Sequence, residues 1–140
     1  DAVRNLGEAA RMAGARVSDV SSDYVCDGTN HLPYVETDAT CPASAYGRTK
    51  LAGAQALQEV CPDAIIIRTA WLYSEFGNNF VKTMLRLGNE REQLSVVFDQ
   101  IGSPTYAGDL AAAIFAVLVQ AEADDFVPGI YHYSNEGVCS

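Results

Sequence analysis

The stretch Ala64-Ile65-Ile66-Ile67-Arg68-Thr69 constrains this chain more than any other. It is a short, continuous apolar run rich in β-branched side chains. Such runs suit a parallel strand covered on both faces. The segment before it reads as a helix from about Ser44 to Val60. Ser44 is placed to cap it, Leu51, Ala52, Ala54, Leu57 and Val60 carry its apolar pattern, and Pro62 closes it. Helices and strands alternate elsewhere too. Residues 1–14 read as a helix with Val3, Leu6, Ala10 and Ala13 on one face and Gly14 as its stop. Val17 to Ser21 reads as a strand in which the carboxylate of Asp19 is discordant, because burying it is costly. Further on, the spacing predicts a helix capped by Asn78 and running through Leu87, and a strand over Leu94 to Phe98. A hydrophobic helix over Ala107 to Ala121 and a last strand over Gly129 to Ser134 follow. This alternation predicts an α/β fold, doubly wound around a mostly parallel sheet.

The connection from Ser22 to Ala43 is long for a compact domain, and long ordered connections are often functional. It joins two pieces with chemical promise. One is Ser21-Ser22-Asp23-Tyr24, at the end of a strand. The other is Tyr46-Gly47-Arg48-Thr49-Lys50, in the helix. Four residues apart on a helix, Tyr46 and Lys50 share a face. An ammonium beside a phenol favours phenolate and draws a phenolic pKa down from about 10. A phenol so placed can protonate a carbonyl oxygen as hydride reaches its carbon, with the Ser22 hydroxyl holding that oxygen. On spacing alone, the same pair is equally an aromatic and a basic residue on an exposed helix face.

In open α/β sheets ligands lie beyond the carboxyl ends of the strands. Trp71, just past the apolar strand, is therefore placed to stack on a sugar or base, or else to pack as core. The turn-rich stretch Asp99 to Thr105 offers ligand-binding side chains, or simply connects a strand to a helix.

Charge narrows the partners. A net charge of −9 argues against nucleic acid, whose phosphates most of the surface would repel. No apolar run approaches the roughly 18 residues that span a bilayer, so no membrane partner is expected. Cys26, Cys41, Cys61 and Cys139 show no paired spacing, which suggests reduced thiols and a cytoplasmic setting. His31 and His132 sit in no ligand pattern, and no metal is expected.

The string from Val20 to Gly28, followed by Tyr46 to Gly53, resembles the extended short-chain dehydrogenase/reductase family. Three further strings narrow the likeness: Arg68 to Tyr73, Gly77 to Leu85, and Asp99 to Thr105. They resemble the members that reduce the C4 ketone of dTDP-4-dehydro-L-rhamnose to dTDP-L-rhamnose with NADPH or NADH. The resemblance implies a partial Rossmann-like fold. Residues 1–75 would be the second half of the nucleotide-binding domain, and 76–140 part of the substrate-binding region with a returning strand and helix. It also implies residue roles. Tyr46 would donate the proton, with Lys50 and Ser22 completing the catalytic set. Tyr46, Lys50, Ser21, Thr69 and Trp71 would hold the cofactor. Ser22, Asp23, Tyr24, Trp71, Asn78, Asn79, Gln100, Pro104 and Thr105 would hold the nucleotide-sugar. Ser22 stands where the family usually has threonine, and keeps the hydroxyl. Cys26 stands where the family usually has Phe.

No Gly-rich cofactor turn occurs in the sequence. The chain therefore reads as an interior fragment, expected to bind dinucleotide poorly, to be inactive alone and to form homo-oligomers. Alternatives from the same scaffold are an epimerase or dehydratase acting on nucleotide-sugars, or a non-catalytic regulatory relative.

Overall fold

The computed structural model describes residues 2–123, 125 and 127–140. In chain order the elements are α1 (Ala2–Met12), β1 (Ser18–Ser22), a 3-10 turn (Asp23–Val25), α2 (Ala45–Val60), β2 (Ile65–Thr69), β3 (Leu72–Tyr73), α3 (Phe80–Glu90), β4 (Thr105–Tyr106), α4 (Ala107–Glu122) and β5 (Gly129–His132). They form two compact units. The first is Asp1–Thr69 with Asp124–Tyr133, and the second is Ala70–Ala123 with Ser134–Ser140.

The first unit is a parallel sheet in the order β1-β2-β5. The β-branched run is its middle strand, and all five residues of β2 are buried. Among the described residues strand β1 pairs on one side, with β2, and Asp19 is half-buried there, which lowers the cost of its carboxylate. Helix α2 joins β1 to β2. It buries Ala54, Leu57 and Cys61 with Ala64 and Ile66, flanked by Val3, Val17, Val60 and Ile130. Helix α1 lies close against α2. A Cβ on Gly7 would come within 2.7 Å of a Val60 methyl and 2.8 Å of a Leu57 methyl, so a larger residue there would have to displace those side chains or part the helices. Arg4 also pairs with Glu59 across the same contact.

Register places side chains in rows. Ser21, Arg68 and His132 lie across the three strands in one row, and Ser22 lies opposite Thr69 in the next. Successive residues of a strand point to opposite faces, so these two rows face opposite sides of the sheet.

The second unit holds β3 and β4, a parallel pair two residues long, with α3 and α4. Helix α3 starts one residue later than its pattern predicts. Asn79, not Asn78, caps it, because Asn79 has the extended backbone of a cap and its Oδ1 accepts from Lys82 N at 3.0 Å. The predicted strand over Leu94 to Phe98 does not form. No described strand offers this stretch a ladder, and Val96, Val97 and Phe98 are exposed. The last strand ends at His132 rather than Ser134. No helix of the described residues is long and apolar enough to cross a membrane.

Candidate active site

Ser22, Tyr24, Tyr46 and Lys50 lie on elements that meet near the carboxyl end of β1, and four contacts explain how. Ser22 ends the strand and caps the 3-10 turn, its Oγ accepting from Tyr24 N at 3.2 Å. Ser44 caps α2 by accepting from Gly47 N at 3.0 Å, which starts the helix one residue before Tyr46. Gly47 then lets the helix meet the turn. A Cβ there would stand 2.0 Å from the carbonyl oxygen of Tyr24, so no other residue fits without moving backbone. One turn further along α2, Lys50 Nζ donates to the carbonyl of Val20 at 2.9 Å, fastening the helix to the strand that carries Ser22.

The two tyrosine rings meet edge to face, with centroids 5.9 Å apart and planes at 82°. Each ring is about half exposed, Tyr46 at 53 % and Tyr24 at 50 %. The Tyr46 hydroxyl has no partner among the described residues and is open to a ligand. The Ser22 hydroxyl is buried and donates to Asp23 Oδ1 at 2.9 Å, so it must turn to donate elsewhere. Desolvation raises the Asp23 carboxyl above its ordinary value, against the lowering effect of that hydrogen bond.

Two more of the sequence's candidates lie at the ends of β1 and β2. Ser21 and Thr69 are both buried, and neither hydroxyl has a partner among the described residues. A buried hydroxyl left unpaired is costly, so each of these orphans, on opposite faces of the sheet at the carboxyl ends of its strands, is open to a polar ligand; Ser18, at the other end of β1, is a third.

Within the second unit, Trp71 is held with φ at 45°, the left-handed region that costs a non-glycine residue about 1–2 kcal/mol. Its carbonyl accepts from Thr105 N at 3.1 Å, and its indole lies against Gly102, where a Cβ would be 2.7 Å from the ring. Thr105 is fully buried, its hydroxyl 3.4 Å from the Ser103 carbonyl, and Pro104 is half-buried. Asn79 uses both ends of its amide internally, donating to the Ser74 carbonyl at 2.6 Å as well as capping α3. Asn78 and Gln100 are exposed.

Two positions in these groups carry weight that a first reading of the sequence passes over, Gly47 and Gly102. The signal was present for Gly47. Glycine inside a helix costs up to about 1 kcal/mol relative to alanine, so its place beside Tyr46 called for a close approach.

All 140 residues match the family model described as RmlD substrate binding domain. The chain is 49 % identical over 130 residues to dTDP-4-dehydrorhamnose reductase of Salmonella typhimurium, covering 93 % of this chain and 44 % of that one. The reductase structure from Bacillus anthracis, in complex with NADP, is 45 % identical with a TM-score of 0.89, over 99 % of this chain and 48 % of that one. The Clostridium acetobutylicum reductase structure is 43 % identical with a TM-score of 0.91, over 99 % and 47 %. The chain thus spans about half the length of the relatives it matches. With the family model matched from end to end, the α/β fold with parallel strands shared, and identity near one half, this chain belongs to the RmlD substrate binding domain family.

Proposed function

We propose that a protein containing this chain reduces the C4 ketone of dTDP-4-dehydro-L-rhamnose to dTDP-L-rhamnose, with NADPH or NADH as reductant. One observation supports the reading: α2 is fastened to β1 through Lys50 and meets the Tyr24 turn at Gly47, and the Tyr46 hydroxyl it carries has no partner among the described residues. The names of the relatives point the same way.

When bound, the nicotinamide supplies hydride to the ketone carbon. This chain's residues do the rest. Tyr46 gives its proton to the ketone oxygen as negative charge develops there. Ser22 turns its hydroxyl from Asp23 to hold that oxygen. Lys50, a turn from Tyr46, favours the phenolate left behind and donates to the nicotinamide ribose hydroxyls. Ser21 and Thr69, on opposite faces of the sheet, each offer an orphan hydroxyl to the cofactor where it crosses the strand ends. Asp23 and Tyr24 border the sugar, Trp71 borders the sugar and nicotinamide, and Asn78, Asn79, Gln100, Pro104 and Thr105 lie along the nucleotide-sugar. The reading carries a cytoplasmic setting. It also carries a homo-oligomer, supported by exposed apolar residues such as Phe76, Phe80 and Leu85.

A chimera provides the test. Residues 1–140 replace the matched segment of the Salmonella reductase, and loss of NADPH absorbance is followed with the dTDP-linked 4-keto sugar. Turnover with that substrate is expected. Its absence in a folded chimera that binds NADPH would overturn the assignment.

A further inference from the structure

The connection 26–43 separates the two halves of the site, since it leaves Tyr24 and returns at Ser44. It is braced internally. Asp27 Oδ1 accepts from Thr29 N at 3.1 Å, Thr29 Oγ1 at 2.9 Å and Tyr34 OH at 2.8 Å. Asn30 N donates to the Tyr34 hydroxyl at 3.0 Å, and Val35 N to Asp38 Oδ2 at 2.8 Å. Near its end, Cys41 N donates to the Val25 carbonyl at 3.0 Å.

Its middle is tied to the sheet at His132. The backbone N–H of His132 donates to Glu36 Oε1 at 2.8 Å. Its ring Nδ1 lies 3.2 Å from the carbonyl oxygen of Tyr34, and its Nε2 lies 3.3 Å from Nη1 of Arg68. Arg68 is 6 % exposed and is the register neighbour of His132 in β2. The charged groups around this point are Arg68 from β2, Glu36 from the connection and Asp23 from the 3-10 turn.

These partners decide the state of the ring. A carbonyl oxygen only accepts, so Nδ1 must carry a hydrogen. A guanidinium only donates and stays charged, so Nε2 must be bare. We propose that His132 is a positioning residue: as the neutral Nδ1–H tautomer it joins the buried Arg68 guanidinium to the connection 26–43. It thereby holds in place the segment between Tyr24 and Ser44. Pinning the middle of a long connection splits it into two shorter ones, and each end is then held closer to its native place. Any consequence for turnover rests on the reductase reading. The clamp itself does not.

Two measurements on the chain as it stands test it, and neither uses cofactor or substrate, so failure of the reductase reading leaves both standing. The first is the long-range ¹⁵N–¹H correlation spectrum of the histidine rings at neutral pH, with exposed His31 as internal reference. Expected is a bare Nε2 and a protonated Nδ1 for His132. An Nε2–H ring, or an average of the two tautomers, would overturn the assignment. The second is amide hydrogen exchange in His132→Phe. Exchange in residues 27–41 is expected to rise about tenfold or more, with Ile66 and Ile67 unchanged. Unchanged exchange in 27–41, or an equal rise in β2, would overturn it. Should His132→Phe fail to fold, the spectrum of the unaltered chain decides.

Discussion

The two units of this chain handle apolar sequence differently. In the first, the run from Ile65 to Thr69 is buried at every position, with a helix supplying Leu57 at 1 % exposure against Ile66 at 0 %. In the second, α3 carries a strong apolar stripe in its sequence, yet none of its residues is buried, and Phe80 and Leu85 are 64 % and 65 % exposed. The same kind of pattern thus produces a core in one unit and an apolar surface in the other. A periodic stripe says which side of a helix seeks cover. It does not say that the cover lies within the same chain.

The contrast is broken most forcefully by paired truncations. Ile66→Ala is expected to cost about 2–5 kcal/mol of unfolding free energy, since it empties a filled site. Leu85→Ala is expected to change stability by less than about 0.5 kcal/mol. Denaturant melts of both variants check this, and equal losses would erase the distinction between the units.

Two glycines sharpen the contrast, because the same change should act with opposite sign. Gly47→Ala forces a methyl against the Tyr24 carbonyl and is expected to destabilise by about 1–3 kcal/mol. It should also weaken nuclear Overhauser contacts between the Tyr24 and Tyr46 rings. Gly88→Ala in α3 meets open space within 4 Å and is expected to stabilise by about 0.4–1 kcal/mol. A gain at Gly47 would mean that helix and turn are not in contact.

The smallest effect concerns pH. The His132 backbone N–H, first among its influences, holds the Glu36 carboxyl below its ordinary 4.5. A carboxyl with a lowered folded-state pKa contributes stability above the ordinary value and loses it as pH falls through the folded one. The amide of His132 should therefore shift with a midpoint below 4.5 in an acid titration, and Glu36→Gln should remove that midpoint. A midpoint at or above the ordinary value would show that the hydrogen bond does not persist. The second unit holds an acidic counterpart in Glu75, whose carboxyl is likewise lowered, first by its own backbone N–H and then by the Tyr106 hydroxyl.

What the sequence made legible was largely local. The Ser44 cap, α2, the buried strand and the shared helix face of Tyr46 and Lys50 follow from spacing and from short-range bonds, while the place of Ser22 in the set does not follow from spacing and rests on the family resemblance. The cap of α3 was misplaced by one residue because Asn78 and Asn79 are equally good capping types, and only backbone geometry separates them. The stretch Leu94–Phe98 has strand-forming side chains, but a strand is a pairing, and no partner is visible to a local pattern. Gly47 and His132 act through atoms 23 and about 96–98 residues away, beyond the reach of periodicity. His132 in particular sat in no motif, and its meaning comes from the three elements that meet around its ring.

The most direct test of the central claim, that the Tyr46 hydroxyl delivers the proton, is Tyr46→Phe in the Salmonella chimera, with kcat and KM measured on the dTDP-linked 4-keto sugar. Loss of a positioned general acid is expected to lower kcat by about 10²–10⁴-fold while KM stays within a few-fold. A kcat close to that of the unaltered chimera would contradict it.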